Sequence, residues 1–391
     1  MLTKVTLENF FSFGKATTIE LNPGVNLLIG INASGKSNFL KALKLLKVGV
    51  VEGQLARLIL EEWGGWSEVV NFSGGKSESI AIEYQFYFPK IEYFSYRLEL
   101  KDDLNSISEK LTVALKNQEK VTVLDSTNLY GTVSGCAGYI GTSANKIQSF
   151  NFYEYGIKQP YFKKYIEQYT SGVLNVDFAN TVKNMHFYNY FDISLKSAIR
   201  SASPFGIDNY LFSTGDNLNT VIQKIKNNQS LSYERLEEQL KNVNPHFKEI
   251  GFNLFGSKSY LLLREHNLDK AISIEHISDG TLYFLLHLAI FYNRERGKIV
   301  AIDEPETGLH PDMIRSIANA IKHAATDGTQ LFIATHSPLF VNHFEVEELI
   351  IFEKDQQNQT IVKTIEDLED LDEERPTGQL WLAGYLGGKR W

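Results

Sequence analysis

A glycine-rich loop near the N-terminus has the residue types and spacing for phosphate binding. Residues 30–37 read Gly-Ile-Asn-Ala-Ser-Gly-Lys-Ser and match the pattern G-x-x-x-x-G-K-[ST] in full. The glycines let backbone N–H groups curl around phosphate oxygens, and Lys36 can reach the β and γ phosphates. Ser37 offers a hydroxyl to Mg²⁺, and a helix that begins there points its positive end at the anion. The loop therefore predicts a nucleoside triphosphate site with Mg²⁺.

A second element, residues 298–306, delivers carboxylates at the end of a predicted strand. It reads Lys-Ile-Val-Ala-Ile-Asp-Glu-Pro-Glu, four apolar residues that run into acids. Ligands of α/β sheets bind at the carboxyl ends of strands. We expect Asp303 to hold Mg²⁺ and Glu304 to orient and polarise the attacking water. Acidic residues at the end of a strand are often there only because the strand end is exposed to solvent. The phosphate loop elsewhere in the sequence favours the catalytic interpretation instead.

Three further groups stand at fixed places around Asp303. Ser278-Asp279-Gly280-Thr281 comes immediately before a predicted helix, Glu306-Thr-Gly308-Leu-His310-Pro follows the acidic strand, and His336 follows the next strand. Each group also has a structural interpretation. Ser278 suits a helix N-cap, His310 and the proline after it suit the first turn of a helix, and His336 suits a polar strand end.

In this order the motifs resemble the ABC-type ATPase heads of the RecF and SMC superfamily. The form G-x-N-x-x-G-K-S-N is typical of that branch, so the resemblance implies ATP contacts from Gly30 through Asn38, including Asn32, Ala33, Ser34 and Gly35. It also implies an ABC signature at Ser278–Thr281, a D-loop region containing Glu306, Gly308 and His310, and a switch histidine at His336. Catalytic roles then fall to Glu304, His336 and Lys36, and metal binding to Ser37 and Asp303.

More narrowly, the chain is similar to compact ATPases related to the OLD family, which occur in prokaryotic defence and DNA-maintenance operons. The glycine-rich ending 378–388 and Gly215-Asp-Asn-Leu218 look like patterns of that group. OLD nucleases carry a Toprim domain of about 100 residues after the ATPase. Since only 39 residues follow Phe352, we expect no nuclease domain in this chain.

The elements that must position these residues alternate between strand and helix at both ends of the chain. Alternating apolar runs predict strands up to Ile29 and hairpins of an antiparallel sheet over 79–124. Strands at 298–302, 331–334 and 348–352 with a helix between predict a parallel sheet. We therefore predict an α/β fold, a P-loop NTPase head of the ABC type with a mixed sheet and an antiparallel β lobe.

Three regions follow from this pattern. Residues 1–149 form the first part of the head, and 251–391 form the second part with an acidic connector and an apolar tail. Residues 150–250 are expected to be a helical insertion, since apolar residues keep helical spacing over 218–225 and 233–243. Thirteen aromatic residues between 150 and 191 should pack its core, although stacking on nucleic-acid bases stays open as an alternative.

Composition excludes several classes of protein. The 391 residues include one cysteine, so neither an internal disulfide nor a cysteine-based zinc cluster can form. No apolar run reaches the roughly 20 residues of a membrane span, and we expect a cytoplasmic protein without membrane contact. Of the net charge of −8, seven negative charges fall in residues 366–374. The total therefore says nothing about whether the head binds nucleic acid.

The resemblance implies an ATP- and Mg²⁺-dependent switch. In ABC-type heads, the signature of one subunit contacts the nucleotide of another, so ATP would join two copies. We expect the switch to control a separately encoded effector, a nuclease, in anti-phage defence. Two alternatives stay open. One is a RecF-like protein that grips DNA in repair, and the other is a scaffold that binds ATP and hardly hydrolyses it.

Overall fold

The computed structural model describes residues 1–71, 79–89, 91–101, 103–115, 119–127, 130–134, 147–151, 160, 162–163, 173–204, 206, 208–368 and 375–386. Its centre is a six-stranded sheet in the order β10-β15-β16-β3-β17-β18. The strands are β3 (Val25–Ile29), β10 (Met185–Tyr188), β15 (Ile299–Asp303), β16 (Gln330–Ala334), β17 (Leu349–Lys354) and β18 (Thr360–Lys363). All neighbours pair in parallel except β17 with β18. The predicted parallel sheet is confirmed.

The central strands read as continuous apolar runs because both faces of the sheet are buried. Alternate residues enter two different cores. Leu28, Phe332 and Phe352 face the core shared with the antiparallel sheet, and Leu27, Ile333 and Ile351 face the core on the opposite side.

An eight-stranded antiparallel sheet forms the second layer, in the order β2-β1-β4-β5-β6-β7-β8-β9. Its strands are β1 (Leu2–Glu8), β2 (Thr17–Glu20), β4 (Ser79–Phe88), β5 (Ile91–Lys101), β6 (Ser106–Leu115), β7 (Val121–Thr127), β8 (Tyr130–Ser134) and β9 (Ile147–Asn151). The predicted hairpins over 79–124 are therefore confirmed as β4 to β7. A smaller sheet joins β11 (Ser203–Pro204), β12 (Phe247–Phe255), β13 (Lys258–Glu265) and β14 (Ile272–Ser273).

Helices cover both faces of the central sheet. Helix α1 (Lys36–Lys44) follows the phosphate loop and continues as a π-helix, Leu45–Val51. The remaining α-helices are α2 (Leu55–Arg57), α3 (Trp66–Val69), α4 (Val173–Lys183), α5 (Leu218–Asn228), α6 (Ser230–Val243), α7 (Asp279–Phe291), α8 (Pro311–Thr326), α9 (Pro338–Val341) and α10 (Thr377–Ala383). A second π-helix spans Leu58–Glu62, and short 3₁₀ helices span Ala198–Arg200, Ile274–His276, Val346–Glu348 and Ile365–Asp367.

The segment 150–250 differs from a purely helical insertion. Helices α5 and α6 have the predicted spacing, but Met185–Tyr188 form β10, the edge strand beside β15. Phe162 and Phe178 pack in the same core as Phe86 and Phe94 of the antiparallel sheet. A four-residue strand is too short to show a period of two, and here it lies within an aromatic-rich stretch. Tyr161, Tyr165 and Tyr169, which also keep helical spacing in the sequence, lie outside the described residues.

The described part of the C-terminal tail packs back on the head. Helix α10 lies against α9, and Leu380, Trp381 and Leu386 are buried in the second core. Residues 369–374 of the acidic run and 387–391 of the tail lie outside the described residues.

Candidate functional site

Three neighbouring strands bring the predicted site residues to one edge of the central sheet. Strand β3 ends at the phosphate loop, β15 ends at Asp303, and β16 leads through Thr335 into His336. These strands are adjacent in the order β15-β16-β3. Because they are parallel, their carboxyl ends meet at the same edge, where α/β sheets bind ligands.

The phosphate loop has the tight backbone that its glycines predict. Gly30 has φ of 146°, and a Cβ there would lie 2.2 Å from the carbonyl oxygen of Phe352. Gly35 has φ of 118°, and a Cβ there would lie 2.3 Å from Oγ1 of Thr360. Ala33 also has a left-handed φ, 64°, which costs about 1 kcal/mol or more for a residue with a side chain. The loop is thus a strained turn, while Asn32 and Ala33 stay exposed at its tip.

Lys36 is folded over the loop rather than into solvent. Its ammonium donates to the carbonyl oxygens of Gly30 at 2.8 Å and Ile31 at 3.0 Å. Burial lowers the pKa of Lys36, and the charges of Asp303, Glu304 and Glu306 oppose that change. The amine is therefore held beside the loop, in reach of a bound phosphate.

Two residues that the sequence analysis did not single out brace the loop from behind. The Thr360 hydroxyl lies 2.7 Å from both the Ser34 carbonyl oxygen and Oγ of Ser12, and Nδ2 of Asn38 donates to the same Ser12 oxygen at 2.8 Å. Thr360 is on β18 and Ser12 is in the turn after β1, more than 300 residues apart in the chain. No local pattern predicts that pairing. Asn38, predicted to contact the nucleotide, here supports the loop.

The two predicted metal ligands lie together. The Ser37 hydroxyl donates to Oδ2 of Asp303 at 2.8 Å, so a hydroxyl and a carboxylate oxygen converge at the start of α1. Burial raises the pKa of Asp303, and the hydrogen bond from Ser37 lowers it. Oxygen ligands suit Mg²⁺, which keeps several waters and uses substrate phosphates for its remaining positions. In the part of the chain that the structure describes, no group of three or more His, Cys, Asp and Glu side chains could hold a metal by itself.

Glu304 and His336 form an exposed pair beside this metal site. Nδ1 of His336 lies 2.7 Å from Oε1 of Glu304, and the side chains are 45% and 40% exposed. Glu304 has a left-handed φ of 52°, and its N–H donates to the Ala334 carbonyl oxygen at 2.8 Å. Backbone strain in a residue with a side chain is typical of functional positions. At Glu304 this backbone conformation directs the carboxylate away from the end of β15 and toward the open edge of the central sheet.

The predicted signature opens helix α7. The Ser278 hydroxyl donates to the Thr281 hydroxyl at 2.8 Å and accepts the Thr281 N–H at 3.2 Å, so Ser278 is an N-cap. Ser278 and Asp279 are exposed, while every residue of α7 from Leu282 to Phe291 is buried. The capping interpretation is therefore confirmed. It is compatible with a signature role, because the cap places exposed polar groups at a helix N-terminus.

Arg200 holds the segment before this helix in place. The residue is 3% exposed, and its guanidinium donates to the carbonyl oxygens of Ile277 at 2.7 Å, Ile274 at 3.3 Å and Ile193 at 2.8 Å. It also donates to the Asp279 carboxylate. A planar guanidinium can serve several acceptors at fixed angles, which an ammonium cannot. Sequence reasoning missed Arg200, since a single arginine 78 residues before the signature carries no local signal.

The predicted D-loop residues follow Glu304. Glu306 is 7% exposed, and Gly308 has φ of 75°. His310 is exposed, caps α8 by accepting the Asp312 N–H, and is followed by Pro311 in the first turn. The structural interpretation of His310 is thus confirmed, and its place in a D-loop stays a prediction.

A cavity of about 680 Å³ opens from the metal site along α1. Its lining includes Ser37, Asp303, Lys41, Lys47 and Asn189. Two lysines, one on α1 and one on its π-helical continuation, make contacts within the protein. Lys47 donates to the Met185 carbonyl oxygen at 2.6 Å, and Lys41 lies 4.0 Å from the centre of the Phe11 ring.

Asn189 follows β10 at the same sheet edge as Asp303, a position that only the pairing of β10 with β15 shows.

Comparison with known proteins agrees with this geometry. The family model AAA_15, described as an AAA ATPase domain, matches residues 1–341. The chain belongs to this AAA ATPase family. No curated protein matches the sequence.

This AAA ATPase-domain protein has the fold of an SMC head. A structure of the Smc head bound to the C-winged helix domain of ScpA has a TM-score of 0.54 at 12% identity, over 93% of this chain and 97% of the other. The Smc head domain from Pyrococcus furiosus, with an extended coiled coil and bound to the C-terminal domain of ScpA, has a TM-score of 0.53 at 11% identity. That match covers 93% and 96% of the two chains. At this identity the likeness concerns the fold, and it confirms the predicted RecF/SMC-like ATPase architecture.

No helix among the described residues is both long and apolar enough to cross a bilayer.

Proposed function

We propose that this protein hydrolyses ATP and that ATP joins two copies of it face to face. The observation that carries the proposal is an exposed group of four side chains at one edge of the central sheet. Ser37 and Asp303 lie 2.8 Å apart, and Glu304 and His336 lie 2.7 Å apart, on the ends of three adjacent strands. Glu304 and His336 are 40% and 45% exposed. Expelling bulk water, apart from the attacking molecule, strengthens the electrostatic interactions in such a site, so a second surface that covers this open edge would complete it.

Each side chain has a role that its position supports. Lys36 and the loop N–H groups bind the phosphates, and Ser37 with Asp303 holds Mg²⁺. The metal ion supplies neutralisation of charge that develops on the phosphate oxygens. Glu304 orients and polarises the attacking water, and His336 holds the Glu304 carboxylate and senses the γ-phosphate.

The signature completes the site of a second subunit. Ser278 and Asp279 are exposed at the start of a buried helix, where backbone N–H groups and the helix dipole attract an anion. The γ-phosphate adds negative charge to the interface, and hydrolysis removes it. ATP would therefore hold two copies together until Glu304 acts.

We propose that this switch controls a separate effector, a nuclease, in prokaryotic anti-phage defence. The support is the resemblance to compact OLD-related ATPases. In addition, the two similar Smc heads are described as bound to domains of ScpA, so a head of this fold can carry a second protein.

Turnover and partner capture test the two levels of the proposal. ATP hydrolysis that needs Mg²⁺ and disappears in Glu304→Gln supports the enzyme, while equal turnover in the variant, or none in the wild type, contradicts it. Co-purification from the native operon should yield a nuclease. Recovery of the ATPase alone would contradict the effector.

A further inference from the structure

Glu306 is a buried carboxyl to which the proposed chemistry gives no task. Burial raises its pKa to about 7. Its Oε1 accepts a hydrogen bond from the Thr335 hydroxyl. Its Oε2 is buried and has no hydrogen-bond partner among the described residues. Burying a carboxyl with one unpaired oxygen costs free energy, so the presence of this group calls for an explanation.

Thr335 connects Glu306 to the segment that carries His336. The Thr335 N–H donates to the Leu28 carbonyl oxygen on β3 at 3.0 Å, and its hydroxyl accepts the Ser337 N–H at 3.0 Å. The same hydroxyl donates a hydrogen bond to Oε1 of Glu306. Both neighbours of His336 are therefore fixed through one hydroxyl, and His336 is directed at Glu304.

Glu306 also lies beside the signature helix of its own subunit. Tyr283, the fifth residue of α7, is 6% exposed. Burial raises its pKa to about 12, and among the neighbouring groups whose charge raises the pKa further, Glu306 has the largest effect. At the start of the same helix, a Cβ on Gly280 would lie 3.5 Å from the Gly308 carbonyl oxygen, which is van der Waals contact. The turn 306–308 thus touches α7 on one side and the His336 segment on the other.

We propose that Glu306 is a positioning residue that holds His336 against Glu304 and joins this pair to the signature helix of the same subunit. The inference rests on the proposed function. A change at His336 in one site would then reach the signature that the subunit offers to its partner, so that the two sites of a dimer respond together. Contiguous hydrogen-bonded and packed groups of this kind can carry such coupling.

Paired variants of the full-length protein test the linkage. Glu306→Leu and Thr335→Val each remove the hydrogen bond, and Val keeps the shape of Thr. Glu306→Gln and Thr335→Ser keep an acceptor and a hydroxyl respectively. Glu61→Leu, on an exposed glutamate, is the matched control. We expect the two disruptive variants to lower kcat about tenfold with KM changed less than about twofold, as loss of one buried hydrogen bond allows. The two conservative variants and the control should stay within about threefold of wild type.

A second readout does not depend on hydrolysis. The side-chain NMR signals of His336, assigned through His336→Gln, should shift or broaden in Glu306→Leu and Thr335→Val and stay in place in Glu61→Leu. If Glu306→Leu does not fold, the Thr335 pair decides alone. Unchanged His336 signals and unchanged kcat in the disruptive variants would overturn the inference. No turnover in the wild type, together with shifted His336 signals in the two disruptive variants, would refute the proposed function and leave the positioning role supported.

Discussion

The buried carboxyl of Glu306 predicts a specific dependence of stability on pH. Its pKa in the folded protein is about 7, against an ordinary value of 4.5. Because the folded pKa is raised, the contribution of this group to stability is complete below pH 4.5 and is lost as pH rises to 7. At about 1.4 kcal/mol per pKa unit, the full loss is about 3 to 4 kcal/mol, most of it between pH 5 and pH 8.

Glu306→Gln removes this titration while keeping a carbonyl oxygen for Thr335. The variant should therefore gain on the wild type as pH rises. The difference in free energy of unfolding should move by about 2 to 3 kcal/mol in favour of Gln between pH 5 and pH 8. Urea titrations at both pH values measure it, with Glu61→Gln as the exposed control. A difference that changes by less than about 0.5 kcal/mol would refute the reasoning, since it would mean that Glu306 ionises in the fold as easily as in the unfolded chain.

Three further changes test the loop, the signature support and the tail. Lys36→Ala should weaken ATP binding at least about 100-fold, by titration with a fluorescent nucleotide, because the phosphates lose a charge-assisted donor; retained affinity would contradict the loop. Arg200→Lys should lower the free energy of unfolding, measured with urea, by about 3 kcal/mol, since an ammonium cannot bind the acceptors of Ile193, Ile277 and Asp279 together. Arg264→Lys, at an exposed arginine, is the control. Equal effects of the two variants would contradict the role of Arg200 in holding the segment before α7. Gly378→Ala should lower the melting temperature by several degrees, because the added Cβ would lie 2.1 Å from the Pro338 carbonyl oxygen; an unchanged melting temperature would mean that α10 does not dock on α9.

The parts of the site that local sequence determines were predictable. Four to nine consecutive residues are enough to determine each of three parts: the phosphate loop, the acidic end of β15 and the cap at Ser278. The chemistry of those residues requires the conformation they adopt. The apolar strands of the central sheet could also be predicted, because burial on both faces of a sheet needs uninterrupted apolar runs.

The rest depends on pairings that no local pattern records. The Thr360–Ser12 brace joins residues 348 apart, and the clamp of Arg200 joins it to residues 74 to 79 positions later. Strand β10 was not predicted, because its four residues show too little periodicity to distinguish a strand from a helical segment. Asn189 could be placed beside Asp303 only after that pairing was known.

The central claim is that ATP joins two copies through the exposed edge that holds Glu304. Glu304→Gln should bind ATP and Mg²⁺ without hydrolysing it, and so should trap the joined state. Light scattering after gel filtration should then give twice the monomer mass with saturating ATP and Mg²⁺, and the monomer mass without nucleotide or when Lys36→Ala is added. A Glu304→Gln protein that stays monomeric with saturating ATP and Mg²⁺ would contradict the account.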